Sequence, residues 1–495
     1  MINLTRLPHP RRWAVGIGAA VAVLAGVLDL VSTGNAGEAV KALVAGAIAV
    51  SVLGLAVSLP GVTPRGAVIG GLFVAAGIFT WTFTDRPAVI WAVLGVQGVL
   101  FAIWGRPWLA RLRDLPRLGG AWLGLAYWLL GIIGAVLVGH AGVAVQRVAY
   151  AGVFTLAVMA VVTVARGPAG RRDITVSIAA AMLVGVAVLL LLGAGNVFDA
   201  VHAAPAGASA QAMRNRFWGG LDLFYHPNSM AGLAVGAAIR IGPDRAFAAW
   251  QRLAATLVAG FLLFLSDSRI GLVFAAAAAL LHGVLLLRRR YEDLPRYRRP
   301  VLAAAVPFVV LGLVLALSGT ESFFFASRFT TPAGSSPDVT SGRIDTWRQV
   351  AQDWKHAGWA EKLFGDARTS RAVVVRTNDG APPGTPHAKL NTDNAAVGAL
   401  RRGGVFGVVA FLIGLVLLLR HALRRRAGPG AVPAWFVVAA LAMVPTIATE
   451  DWMLGGTNGA LWLLLLAGEA GVAWAADRRD EPVATDTPAL ARSRP

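Results

Sequence analysis

Apolar segments long enough to cross a bilayer recur along this chain from end to end, and no other feature constrains its fold as much. A helix rises 1.5 Å per residue, so a hydrocarbon core of about 30 Å takes about 20 apolar residues. About fourteen such segments can be marked, near 13–31, 39–59, 67–84, 88–104, 119–139, 142–165, 174–195, 226–241, 247–267, 270–287, 300–318, 399–420, 432–449 and 458–475. Composition agrees: 56% of the 495 residues are hydrophobic and 14% charged, where soluble domains carry about a quarter charged residues. The expected fold is all-α and polytopic, with residues 1–495 forming a single integral membrane domain.

The net charge of +19 would suggest nucleic acid in a soluble chain. Here the arginines fall mainly in short loops between segments, so no nucleic-acid partner is expected and membrane lipids are. The positive-inside rule makes those loops cytoplasmic. With the N-terminus inside, alternation also puts inside the loops holding Arg106 to Arg117, Arg166 to Arg172, Arg288 to Arg299 and Arg424 to Arg426. Both termini are then cytoplasmic, with residues 477–495 a polar, disordered tail. The first segment shows no convincing small-residue cleavage site and does not read as a cleaved signal peptide. The chain has no cysteine, hence no disulfide and no thiolate chemistry.

Alternation leaves two long segments outside, about 196–225 and 319–398. Loops of that length are usually functional or disordered. The second contains "SGRIDTWRQVAQDWKHAGWAEKLFGD", with an N-cap candidate at Ser341. Ile344, Trp347, Val350, Ala351 and Trp354 follow at helical spacing, extended by Trp359, Leu363 and Phe364, with Gly365 as a stop. An amphipathic helix is predicted, and its start joins Arg343 to free backbone N–H groups suited to an anion. The simpler reading is a capped surface helix with a solvated arginine. In "FLSDSRIGLVF" the chain turns between two segments, and Arg269 begins the next. It either faces a polar cavity, snorkels to the interface or pairs with Asp267. "MRNRFWGGLDLFYHPNSMAGLAVG" brings Arg214, Arg216, Asp222, His226 and Asn228 to the mouth of another segment, with Pro227 suited to a first helical turn. Finally, "TPHAKLNTDNAAVGALRRGGVFGVV" sets His387, Lys389, Asp393 and Asn394 directly ahead of an apolar run.

The order of these features resembles the O-antigen ligase and polymerase superfamily of membrane glycosyltransferases. "HPNSMAG" is similar to that family's Pro-Asn-x-x-Ala helix start. "SDSRIG" resembles its Ser-Arg-Gly turn, with Ile270 inserted before Gly271, and "TSGRIDTW" its Ser-Gly-Arg entry to an external helix. "TDNAAVGALRRGGVFG" resembles the frame His-Asn-x7-Glu-x-Gly-x-x-Gly. The set spans roughly residues 210–410. In register with Asn394, Gly404 and Gly407, Asp393 stands where ligases have a proposed catalytic His, and Arg402 stands on the Glu. His387 lies six residues too early.

The resemblance implies a glycosyltransferase-C-like membrane fold and transfer of a glycan from a polyprenyl-diphosphate carrier to a glycan or cell-envelope acceptor hydroxyl. Transfer would be inverting, polymerase-like or ligase-like, on the outer side of the cytoplasmic membrane. Arg269 and Arg343 resemble the family's diphosphate-binding pair, and Arg216 is a third candidate from proximity. Asn228 and Asn394 are the further substrate-binding candidates, and Asp393 or His387 the base. The family implies no metal, and no cofactor is expected; Asp29 alone leaves a metal-dependent route open. A transporter or flippase of lipid-linked glycan is the alternative, and a non-catalytic scaffold remains if Asp393 merely caps the following helix.

Overall fold

The computed structural model describes residues 36–82, 87–104, 108–165, 167–192, 227–266, 268–293, 343–365, 373–376, 388–391, 394–424, 432–447 and 459–477. Almost all of these are helical. The apolar helices are α1 (Ala36–Ser58), α2 (Pro64–Thr82), α3 (Pro87–Trp104), α4 (Gly119–Leu137), α5 (Ala141–Val164), α6 (Gly167–Leu192), α7 (Pro227–Ile241), α8 (Ala249–Ser266) and α9 (Arg269–Asp293). Two more polar helices follow, α10 (Arg343–His356) and α11 (Trp359–Phe364). The chain ends with α12 (Ala395–Leu423), α13 (Ala434–Ile447) and α14 (Ala460–Asp477). A short antiparallel pair, β1 (Val373–Arg376) and β2 (Ala388–Asn391), lies between α11 and α12, in register Val373 to Asn391. The predicted segments 13–31 and 300–318 lie outside the described residues.

Among the described residues, α4, α5, the Ala169–Leu191 part of α6, and α12 are each long and apolar enough to cross a bilayer. The remaining helices carry shorter apolar stretches and pack among them. The interior helix is α6, with 83% of its span buried, against about half for α4 and α5. It packs on α1, α2, α7 and α14. Small residues bring these helices close: Gly70 of α2 lies against Ile178 and Ala181, and Gly185 against Val74. Phe73, Phe154 and Trp462 form a ring cluster in the core, with centroids 5.7–6.1 Å apart.

Side-chain contacts show which helix ends lie together. The Gln251 amide donates to the Ser58 carbonyl, and Thr63 N–H donates to Ser177 Oγ. Arg240, 1% exposed, donates to Thr175 and Asp244 and lies over Trp435 at 5.1 Å. Gly471 sits against the stem of Arg171. At the same end, Glu469 is fully buried and accepts the Gly119 and Gly120 N–H groups at 2.7 Å each. His421 Nδ1 lies 2.7 Å from Oε1 of the same carboxylate. A helix start leaves its first N–H groups without partners inside the helix, so Glu469 supplies the cap that the sequence around Gly119 lacks. Arg117, Arg171, Arg172, Arg245, Arg420 and Arg424 belong to this end. Helix ends that the arginine alternation assigns to one side therefore pack together.

The segment expected outside departs from its expected form. One continuous amphipathic helix was the expectation for residues 341–364; α10 and α11 are two helices, separated at Ala357 and Gly358. Gly358 is extended at φ −65°, ψ 165°, which ends the run and redirects it. Val350 is buried, but Ala351 is exposed and Trp359 is 66% exposed, so the apolar stripe is only partly covered. Gly365 is the stop, with φ +83°.

Candidate functional site

The starts of α7, α9 and α12 lie at the end of the bundle opposite the buried Arg240 and Glu469. Each begins with a motif residue, and local chemistry explains each start. Pro227 opens α7, where its missing N–H would have had no partner anyway. Asn228 and Ser229 follow, both buried, at 8% and 9% exposure. The turn from α8 into α9 uses Ser268, whose Oγ accepts the Gly271 N–H at 2.9 Å. A serine cap of this kind is worth about 1 kcal/mol. Arg269 is the first residue of α9.

Gly271 explains the spacing of that motif. A Cβ there would stand 2.8 Å from Ala231 of α7 and 2.8 Å from Leu263 of α8. The helices α7 and α9 thus cross at the Ala of one motif and the Gly of the other. The crossing lies three residues beyond Asn228 and two beyond Arg269, so both helix starts fall within about one turn of it.

Asn394 is the N-cap of α12, with φ −157° and its Oδ1 accepting the Val397 N–H at 3.0 Å. This corrects the idea that Asp393 caps the helix: the cap belongs one residue later. Two turns into α12 the backbone leaves helical geometry at Gly404, with φ 61° and ψ −156°. Gly407 lies against the Ala399 carbonyl. Arg402, on the family's Glu position, is 6% exposed. The structure therefore gives both motif glycines a packing reason.

Arg343 is the first residue of α10. The Trp354 indole N–H donates to the Lys362 carbonyl at 3.2 Å and ties α10 to α11. Helix α11 packs on α4 and α12, and α13 packs on α12, α9 and α7. The α10–α11 pair thus joins the α12 start directly, and the α7–α9 crossing through α13. Strand β2 stands between positions 387 and 393 in the chain, so His387 and Asp393 flank it at opposite ends. His387, Asp393, Arg214, Arg216, Asp222 and His226 lie outside the described residues.

Besides Arg240, sequence reasoning missed the burial of three further charges. Arg147 of α5 is 4% exposed, with its guanidinium 4.7 Å from the Trp128 ring centroid. Arg402 is legible in the sequence only by its register, and Glu469 stands in no motif. Each sits inside an apolar segment, where an ionisable residue is costly; that was the available signal.

The fold and this cluster of helix starts define a multi-helix membrane protein with a partly helical segment docked at one end of its bundle. Residues 254–412 match the family model for O-antigen ligase, which supports the resemblance to the O-antigen ligase and polymerase family. No curated protein matches the chain. The match covers the Ser-Arg-Ile-Gly turn, the Ser-Gly-Arg entry and the Asp-Asn frame, while the Pro-Asn start lies ahead of it. In general terms the match supports a membrane glycosyltransferase of the O-antigen ligase and polymerase type.

Proposed function

We propose that the protein transfers a glycan from a polyprenyl-diphosphate carrier to an acceptor hydroxyl, on the outer side of the cytoplasmic membrane. The acceptor oxygen attacks the anomeric carbon as the bond from that carbon to the diphosphate oxygen breaks. The hydroxyl proton passes to Asp393 or His387, and polyprenyl diphosphate departs. Direct displacement inverts the anomeric centre and calls for no metal. Arg269 and Arg343, and Arg216 as a third candidate, stabilise the negative charge that develops on the leaving diphosphate. Asn228 and Asn394 stand at the starts of α7 and α12 and border the bound glycan.

One observation carries this reading most directly. The α7–α9 crossing at Ala231 and Gly271 joins two motifs that are separate in sequence, and puts their polar starts at one bundle end. Further support is that the basic helix ends lie at the opposite end, which the positive-inside rule makes cytoplasmic. The test is to incubate purified protein in liposomes with lipid-linked oligosaccharide and an acceptor glycan, without nucleotide. The expected result is glycan joined to acceptor together with released polyprenyl diphosphate. Movement of the lipid across the bilayer without transfer would assign the protein to the flippases instead.

A further inference from the structure

At the end of α11 the α10–α11 pair meets the membrane helices through close backbone contact. At Gly365 the Cα faces the Arg402–Gly403 peptide of α12, which a Cβ would strike. At Gly404 the space a Cβ would need is filled by the Leu363 and Phe364 backbone. On α4, a Cβ at Gly134 would lie 2.8 Å from the Gly365 oxygen and 3.0 Å from the Phe364 oxygen. Three glycines from three separate parts of the chain therefore meet at one point. Two of them also hold positive φ, +83° at Gly365 and +61° at Gly404. The Phe364 and Phe406 rings flank the junction at 5.3 Å.

This junction is costly. Glycine loses more conformational freedom on folding than any other residue, and Gly404 interrupts a membrane helix. Strain of this sort persists where surrounding structure holds it and often marks function. Its geometric effect is clear. Helix α11 is pinned to the kink in α12, and the Trp354–Lys362 hydrogen bond carries the constraint to α10. The fourteen residues of α10 make a lever of about 21 Å with Arg343 at its far end. Helix α10 also packs on α12 and β1, so the junction and those contacts together set where that end lies.

We propose that Gly134, Gly365 and Gly404 are positioning residues, forming a backbone interlock that sets the α10 start at Arg343 relative to the α12 start at Asn394. This rests on the transfer reading above, in which those two starts serve one reaction. Misplacement of about 1 Å can cost a hundredfold in rate, so the interlock governs turnover more than donor binding.

The test uses Gly134→Ala, Gly365→Ala and Gly404→Ala in the full-length protein. Gly139→Ala is the control: its φ is also +83°, but nothing lies within 4 Å of the added Cβ. The chain has no cysteine, so spin labels can be placed through cysteines at Gln352, exposed on α10, and Leu412, exposed on α12. Pulsed electron resonance in nanodiscs then reads their separation. The wild type and Gly139→Ala should give one narrow distance, and the interlock variants a broad distribution. In parallel, kcat per folded molecule should fall about a hundredfold, with a much smaller change in KM for lipid-linked donor. Gly134→Ala meets the Gly365 and Phe364 carbonyls at 2.8 Å or more, less closely than the backbone at Gly404, and keeps the test open if Gly404→Ala does not fold. Narrow distances in every variant would overturn the interlock, and broad distances with unchanged kcat would overturn its positioning role. An inactive wild type would remove the transfer reading and the positioning role together, while the distances would still decide the interlock.

Discussion

At the scale of single residues, arginine chemistry is the first point of test. Arg269 and Arg343 each begin a helix, where backbone N–H groups add their own attraction for anions. A guanidinium grips phosphate through a planar fork, which lysine lacks. Arg269→Lys and Arg343→Lys are expected to lower turnover strongly while the protein still accumulates in the membrane, with alanine no better than lysine. Full transfer activity in all four variants, measured with lipid-linked donor, would return both arginines to interfacial snorkelling. The proton acceptor is the second point. Asn394 caps α12 through its own side chain, so changing Asp393 leaves that hydrogen bond in place. Asp393→Asn should therefore lower transfer by about a hundredfold or more, the usual scale of general-base catalysis. His387→Gln should cost less, since His387 precedes β2 rather than α12. Rates for the two single variants and the double variant would rank them; the reverse order moves the base to His387.

Elements, taken one at a time, are held by contacts that reach far along the chain. Helix α4 begins with Gly119 and Gly120 and has no local side-chain cap. Glu469, about 350 residues away in sequence, accepts both N–H groups. Removing one partner from a buried charged network leaves the others unsatisfied, at about 3 kcal/mol or more. Glu469→Ala should lower the thermal unfolding midpoint in detergent by several degrees. Glu469→Gln should fall between it and the wild type, because an amide has one oxygen acceptor where the carboxylate has two. Equal midpoints for all three would mean that water replaces the carboxylate at this cap.

For the whole molecule, orientation follows from charge. The helix ends near Arg171, Arg240, Arg420 and Glu469 pack together, and the motif-bearing starts of α7, α9 and α12 stand at the other end. The positive-inside rule would put the first end in the cytoplasm. A single cysteine at position 375 should react with a membrane-impermeant thiol reagent in intact cells, and one at position 294 should not. The opposite labelling would invert the topology and remove the proposed mechanism with it.

Periodicity and hydropathy are local properties, and they determined much of this protein from sequence alone. Apolar runs marked α1 to α9 and α12 to α14 because each buries its own stripe wherever its neighbours stand. The starts at Pro227 and Arg269 and the stop at Gly365 were legible because cap and turn chemistry spans only a few residues. The motif glycines were legible as letters without a reason. Only tertiary structure supplied one: Gly271 faces Ala231, and Gly404 faces the Leu363–Phe364 backbone, partners that no local rule identifies. The cap on Asn394 rather than Asp393 turned on one residue of register, which side-chain geometry alone decides. The Glu469 cap and the break at Gly358 belong to the same class. Each depends on which distant groups a packed bundle brings within hydrogen-bonding or van der Waals reach, and sequence separation carries almost no information about that.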